Sequence, residues 1–303
     1  MENHIEHIKI SCVIPTHGRP AFLQEAIESV LAQTFLPYEI VVVSDDGNSG
    51  SKAIVEDFSS KAEILISYVE NATGEGGASS SRNLGASMAE GTHLAFLDDD
   101  DKWAPEYLSN VDALFRTRPT ECVVTWLMMF RGEQHVPGLT MKPGLRARDA
   151  ASMNPGFTGS NFVVERTVFF SIEGFDSNLR VINDGDFIYR YLSAGHTYLV
   201  NESFQVFQRK HASGQLTAAS EMRAQGLEKY MSKHIATLRL SDRRYMRLAI
   251  NRIRYHSANS TASRFRYLLI GIANSSPRSI AVSIRGWKQR PFWRVKAAQS
   301  GQV

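Results

Sequence analysis

Thr92-His93-Leu94-Ala95-Phe96-Leu97-Asp98-Asp99-Asp100-Asp101 sets a short apolar run against four consecutive carboxylates. The apolar half reads as a buried strand. Four like charges at one strand end repel one another, and a folded chain tolerates them where a divalent cation or hydrogen-bond donors share the site. One or two such residues would pass as turn formers. Four in a row after a buried strand mark a functional site.

The segments upstream repeat the same design. Residues 8–14, Ile-Lys-Ile-Ser-Cys-Val-Ile, read as a buried strand that Pro15, Gly18 and Pro20 break. Pro20 suits the first turn of a helix, and Leu23, Ala26, Ile27, Val30 and Leu31 recur at helical spacing. Residues 39–44 predict a second strand ending in Asp45-Asp46-Gly47. A short helix over 53–58, a strand over 64–69, a glycine-rich loop over 71–77 and a helix over 80–89 follow. Strands alternating with helices predict an α/β fold: a Rossmann-type, mostly parallel central sheet with right-handed crossovers, flanked by helices. Such sheets bind ligands at the carboxyl ends of their strands. Pro15-Thr16-His17, Asp45-Asp46 and Asp98–Asp101 all fall at such ends.

Downstream, a helix is expected from Trp103 to about Phe115, with Asp101 as a possible cap for it. Strands are expected over 121–130 and 159–170, a helix over 184–194 and extended chain over 197–209. Trp103 reads as a core residue or a wall of the site.

Bulk properties bound the rest. With 303 residues, 43% hydrophobic and 21% charged, the composition is that of a globular protein with ample core. Cys12 and Cys122 are too few for a disulfide framework, and Cys12 sits in an apolar run. Met1-Glu2-Asn3-His4 carries no signal-peptide pattern, and no apolar stretch approaches the ~18 residues that cross a bilayer. The expected location is the cytoplasm, at the inner face of the cell membrane if the tail binds lipid. The net charge of +3 conceals an asymmetry: residues 217–303 hold 17 Lys and Arg against three acids, a net of +14, which leaves −11 on residues 1–216. That contrast divides the chain into an acidic body (1–216) and a basic, helical C-terminal region (217–303).

Val13-Ile14-Pro15-Thr16, Val41-Val42-Val43-Ser44-Asp45-Asp46-Gly47, Ser81-Arg82-Asn83-Leu84-Gly85, Phe96–Asp101 and Gly174-Phe175-Asp176 stand in order along the chain. Together they resemble the family 2 glycosyltransferases, whose GT-A fold binds nucleotide-sugars; the resemblance covers roughly residues 8–212. It implies a UDP- or dTDP-type sugar donor, a glycan or lipid-linked acceptor, a divalent cation (Mn²⁺ or Mg²⁺) and an inverting displacement. It assigns Asp100 as the main metal ligand, with Asp98 on the ribose or the metal waters. It puts Asp99 beside the nucleotide. Asp46 or its neighbour Asp45 would accept a hydrogen bond from the base, and Thr16, after Pro15, would meet the base through its main chain. Arg82 would lie near the nucleotide, where a guanidinium pairs with phosphate or stacks on a base. Asp184 would be the general base, with Asp186 in reserve; Asn183 stands where the family has an acid. In Arg209-Lys210-His211, Arg209 would approach the diphosphate, and His211 would be a further metal ligand, a phosphate donor or part of a solvated run.

The tail alternates Arg243, Arg244, Arg247, Arg252, Arg254, Arg264 and Arg266 with apolar and aromatic residues. Basic amphipathic helices of this kind bind anionic membranes; packing on the acidic body is the alternative, and nucleic acid is a weaker one. Two rival functions share the α/β sheet: a sugar nucleotidyltransferase, which would carry a basic glycine-rich loop after the first strand, and a degenerate nucleotide-binding module.

Overall fold

The computed structural model describes residues 8–72, 77–211 and 220–275. Most of the glycine-rich loop before Gly77 lies outside these residues. The chain divides into two compact units, residues 1–209 and 210–303. The charge contrast had put the division at 216/217, among residues outside the description.

In the first unit, β1 (Ile10–Thr16) and β2 (Glu39–Ser44) are buried along their whole length. That explains why they read as continuous apolar runs and not as alternation. Between them α1 (Pro20–Leu31) begins with Pro20 in its first turn and buries Leu23, Ala26, Ile27 and Val30. Then come α2 (Ser49–Ser59), capped by the Asn48 side chain, β3 (Leu65–Glu70), α3 (Ala78–Met88) and β4 (His93–Phe96). These four strands pair in parallel in the order β3-β2-β1-β4.

The sheet continues with β5 (Lys102–Trp103), α4 (Tyr107–Thr117), β6 (Cys122–Arg131), β7 (Gln134–Pro137), α5 (Ala147–Ala150), β8 (Phe162–Glu165), α6 (Arg166–Ser171), α7 (Asn183–Ser193) and β9 (Leu199–Arg209). The full order is β3-β2-β1-β4-β8-β6-β9-β5, with β7 beside β6. Here β8 runs antiparallel to both β4 and β6, while β6 and β9 are parallel. The parallel half is the part that presents carboxyl-terminal strand ends side by side.

Two expectations need correction. The strand predicted over 159–170 is only β8, and Arg166–Ser171 turns into helix because Val168 and Phe169 must reach the core on one face. The helix expected from Trp103 begins at Tyr107 without a side-chain cap. Trp103 instead pairs with Val206 of β9, is 3% exposed and donates its indole N–H to the Ser160 carbonyl at 2.9 Å. It is a core residue.

Apolar layers cover both faces of the sheet. Cys12, Ile14, Ile40 and Val42 pack with α1 and with Tyr107, Leu108 and Val111 of α4. Val13, Leu94 and Phe96 face the other way, toward α3, α6 and α7. Phe96, Phe162, Phe169, Phe175 and Phe187 form a continuous aromatic cluster there, with centroids 4.9–6.3 Å apart. Cys12 and Cys122 are both buried and free.

The second unit contains α8 (Glu221–Lys233), α9 (Leu240–Ser257) and α10 (Thr261–Ala273). Ala224, Ile250 and Ile253 form its small core with Leu227 and Met231. Arg254 forks between Glu221 and Glu228, joining α8 to α9. Among the described residues no helix is long and apolar enough to cross a membrane.

Candidate active site

The Asp98–Asp101 turn leaves β4 beside the ends of β1 and β2, because β1 pairs with both strands. Its four carboxylates have distinct partners. Asp98 is ion-paired with Arg82, and its backbone N–H donates to the Ser160 hydroxyl at 3.1 Å. Asp99 is 1% exposed; it accepts from the Thr16 hydroxyl at 2.8 Å and pairs with Arg19 at 2.7 Å. Burial raises the Asp99 carboxyl to about 6 against the pull of Arg19 and Thr16. Asp100 pairs with the other arm of Arg19 at 2.8 Å. Asp101 accepts from the Ser160 hydroxyl at 2.7 Å and the Arg209 backbone N–H at 2.9 Å. Burial, with Asp98 and Asp100 nearby, holds Asp101 well above the usual carboxylate range. It braces the turn and caps no helix.

Carboxylate oxygens of Asp98, Asp100 and Asp101 lie within 4.8 Å of one another. Hard oxygen donors at that spacing suit Mg²⁺ or Mn²⁺. Asp101 therefore joins the expected Asp98 and Asp100 as a candidate ligand. His211 lies in the second unit and is not among the groups of clustered ligands found in the described residues.

At the end of β2, the two acids divide their work. Asp45 is committed on both oxygens, to His17 Nδ1 at 2.6 Å and to the Gly77 N–H at 2.9 Å. The bond and charge of Asp45 raise the pKa of His17. Asp46 is exposed and uses Oδ1 to accept from Ser44 and the Asn48 N–H. Pro15 and Thr16 lie in register with Val43 and Ser44, and the Thr16 carbonyl accepts from the Asp45 N–H. The Thr16 main chain therefore serves the sheet, and its hydroxyl holds Asp99.

The Ser81–Gly85 motif becomes intelligible atom by atom. Arg82 is 3% exposed, lies 5.1 Å from the Phe175 ring centroid, and leaves Nε and Nη1 buried without a hydrogen bond. Asn83 clasps the Phe175 backbone, donating to its carbonyl at 2.7 Å and accepting from its N–H at 2.9 Å. Gly85 lets α3 lie against the sheet: a Cβ there would come within 2.4 Å of Val13.

Asp184 stands in the first turn of α7. Its Oδ1 is buried without a partner, and the Gly159 N–H bonds the carboxylate. Burial raises it to about 6, Asp98 adds to the rise, and Arg82 opposes both. Gly159 also touches Arg82, since a Cβ there would lie 2.3 Å from Nη2. Asp184, Gly159, Arg82 and Asp98 are thus contiguous. Asn183 donates to the Ser79 hydroxyl at 2.9 Å and ties the start of α7 to α3. Just before it, Ile182 adopts φ 67°, a left-handed conformation costly for a β-branched residue.

A family model for Glycosyl transferase family 2 matches residues 11–182, more than half of the chain. The chain belongs to glycosyltransferase family 2. Among curated relatives of this glycosyltransferase is the GalNAc(5)-diNAcBac-PP-undecaprenol beta-1,3-glucosyltransferase of Campylobacter jejuni, 33% identical over 103 residues, 34% of this chain and 33% of that one. Among solved structures, Staphylococcus aureus TarS superposes with TM-score 0.64 at 18% identity, over 90% of this chain but 50% of its own. The mannosyltransferase PcManGT of Pyrobaculum calidifontis, solved with GDP-Man and Mn²⁺, gives 0.62 at 16% identity, over 97% and 84%. These two likenesses confirm the GT-A-type fold expected from the motifs.

Two expected residues of this glycosyltransferase are placed elsewhere. Asp186 is 0% exposed and paired with Arg190 at 2.7 Å, whose guanidinium also bonds the Ile172 and Gly174 carbonyls. It holds α7 to the turn before Phe175 and offers an acceptor no free edge. The Arg209 guanidinium bonds Glu25 at 2.7 Å and the Asp100 carbonyl at 2.9 Å, between the rings of Phe22 and Phe130. It steadies the aspartate turn from behind and is already engaged.

Arg19, Gly159 and Ser160 were missed. Arg19 sits inside the Pro15–Pro20 break, where it reads only as turn chemistry; its bridging of two carboxylates was the sole clue and is tertiary. Gly159 and Ser160 carry no sequence signal.

Proposed function

We propose that this glycosyltransferase moves one sugar from a nucleoside-diphosphate sugar to an acceptor hydroxyl of a cell-envelope glycan, lipid-linked in the first instance. The observation that carries the reading is the continuity of Asp184, Gly159, Arg82 and Asp98. It joins a base candidate and a carboxylate cation site through one buried guanidinium.

Asp98, Asp100 and Asp101 would hold the cation, which supplies Lewis-acid neutralisation of the diphosphate leaving group. The Arg82 Nε and Nη1 donors, unpaired and buried, suit phosphate or sugar oxygens. Asp46 keeps its second carboxylate oxygen for the base, because both Asp45 oxygens are used. Asp184 takes the proton from the acceptor hydroxyl as it attacks the anomeric carbon; positioned bases of this kind contribute roughly 10²–10⁴-fold. The reaction is a single displacement with inversion, so no enzyme nucleophile is assigned. PcManGT bound to GDP-Man and Mn²⁺ supports the donor class and the cation. The undecaprenol-linked substrate in the name of the Campylobacter relative supports a lipid-linked acceptor. The basic second unit would then meet an anionic membrane on the cytoplasmic side, where residues 217–303 would bring the enzyme to its acceptor. Residues 1–216 would hold donor and acceptor.

Incubation with UDP-, dTDP- and GDP-sugars and Mn²⁺ tests the reading. Slow release of nucleoside diphosphate, lost in Asp100→Ala, is expected. Release of pyrophosphate from nucleoside triphosphate would establish the nucleotidyltransferase instead. Binding with no turnover of any donor, in the presence of an undecaprenyl-diphosphate acceptor, would establish the binding module.

A further inference from the structure

α10 has two unlike faces. Its Gly271 edge lies against α9, where a Cβ would meet Leu248 at 3.6 Å and Asn251 at 3.9 Å. Away from that edge stand Phe265, Leu268, Leu269 and Ile272, which are 61%, 46%, 50% and 61% exposed. Their spacing, i, i+3, i+4 and i+7, draws one stripe down the helix. At roughly 100° per residue, the neighbours of Phe265 fall on either side of that stripe. Those neighbours are Arg264 and Arg266, both exposed.

Single exposed apolar residues are ordinary on a protein surface, whereas a contiguous stripe marks an interaction site. The charges decide which. From Leu240 to Ala273 the sequence has seven arginines and one acid, Asp242. A stripe flanked by arginines suits a surface that is apolar below and anionic above: the stems lie along hydrocarbon and the guanidiniums rise to phosphate. The arginines would not gain such partners from a neutral apolar protein face. Residues 276–303 continue the composition, with six Lys and Arg, no acid, and Trp287, Phe292 and Trp293; tryptophan favours the bilayer interface.

We propose that α10 lies in the plane of an anionic bilayer, with Phe265, Leu268, Leu269 and Ile272 among the acyl chains and Arg264 and Arg266 on lipid phosphates. The inference takes its partner class from the membrane contact proposed above and assigns it to one helix face. Association is reversible, since one such face binds far more weakly than a spanning helix.

The full chain is sedimented with phosphatidylcholine vesicles with and without phosphatidylglycerol. Binding to the anionic vesicles at least about tenfold tighter than to the neutral ones is expected. Phe265→Ser with Leu269→Ser should weaken that binding at least about tenfold with unchanged helical circular dichroism. Arg264→Gln with Arg266→Gln should remove most of the preference for phosphatidylglycerol. Equal sedimentation of the serine variant and the parent overturns the proposal, as does failure of the parent to sediment. If the parent is a dimer by light scattering and the serine variant a monomer, the face is a self-contact and the proposal falls. Nucleoside diphosphate release is read on the same samples. Its loss with vesicle binding intact counts against the catalytic reading alone, and its retention without binding counts against this one alone.

Discussion

Arg82 and Asp98 form an ion pair between α3 and the end of β4, and the same guanidinium keeps Nε and Nη1 buried without acceptors. A buried donor left unmade costs about 1–3 kcal/mol. The fold carries two of them beside its carboxylates, as expected of a group held ready for a ligand. Arg82→Lys keeps a charge but loses the planar fork. Calorimetric titration with UDP or dTDP and Mn²⁺ should show affinity reduced at least about tenfold. Unchanged affinity would make Arg82 a purely internal counterion.

Asp100 is less buried than Asp101 and than Asp99, the other partner of Arg19. Asp100→Ala should abolish metal-dependent nucleotide binding while leaving the thermal transition within a few degrees of the parent. Asp101→Ala should lower that transition more, because Ser160 and the Arg209 N–H would lose a shared buried acceptor. An unaltered UDP or dTDP titration in Asp100→Ala would remove the cation from this turn.

Asp184→Asn should spare donor binding and lower turnover at least about a hundredfold. The base must be ionised to accept a proton, and its folded pKa is raised to about 6. Turnover should therefore fall about tenfold per pH unit below about 6, a limb absent from the residual activity of the asparagine variant. Linkage has the opposite sense. The folded carboxyl holds its proton more tightly than the unfolded one near pH 3.9. Its contribution to stability therefore declines as pH rises from about 4 to about 6, then stays level. A rate within tenfold of the parent in Asp184→Asn would remove it as base.

Asp186 and Arg190 belong to the fold. Arg190→Ala leaves a carboxylate that is 0% exposed without its counterion. Breaking a buried pair from one side costs roughly 3–5 kcal/mol, and denaturant unfolding should show a loss of that order. A variant of normal stability with abolished turnover would return Asp186 to the list of bases.

Gly85→Ala probes the approach of α3 to the sheet. Its Cβ would meet Val13 at 2.4 Å and Val43 at 3.0 Å. Overpacking of this kind costs roughly 1–3 kcal/mol. Since α3 carries Arg82, nucleotide affinity should fall with stability; unchanged stability would mean that α3 has room to withdraw.

The sequence alone determined the alternation of strands and helices and which strand ends carry acids. Both depend on local chemistry: apolar runs that can only be buried, proline and glycine that stop them, and like charges that accumulate only where something neutralises them. It also determined the family, because the ordered motifs are short and contiguous. What it could not determine is what each carboxylate touches. Asp186 and Asp184 are two residues apart in one helical turn, yet one is sealed against Arg190 and the other keeps an oxygen without a partner beside Gly159. Arg19 crosses about 80 residues of chain to reach Asp99 and Asp100. Such pairings depend on β1 standing between β2 and β4, a long-range register that no local pattern encodes.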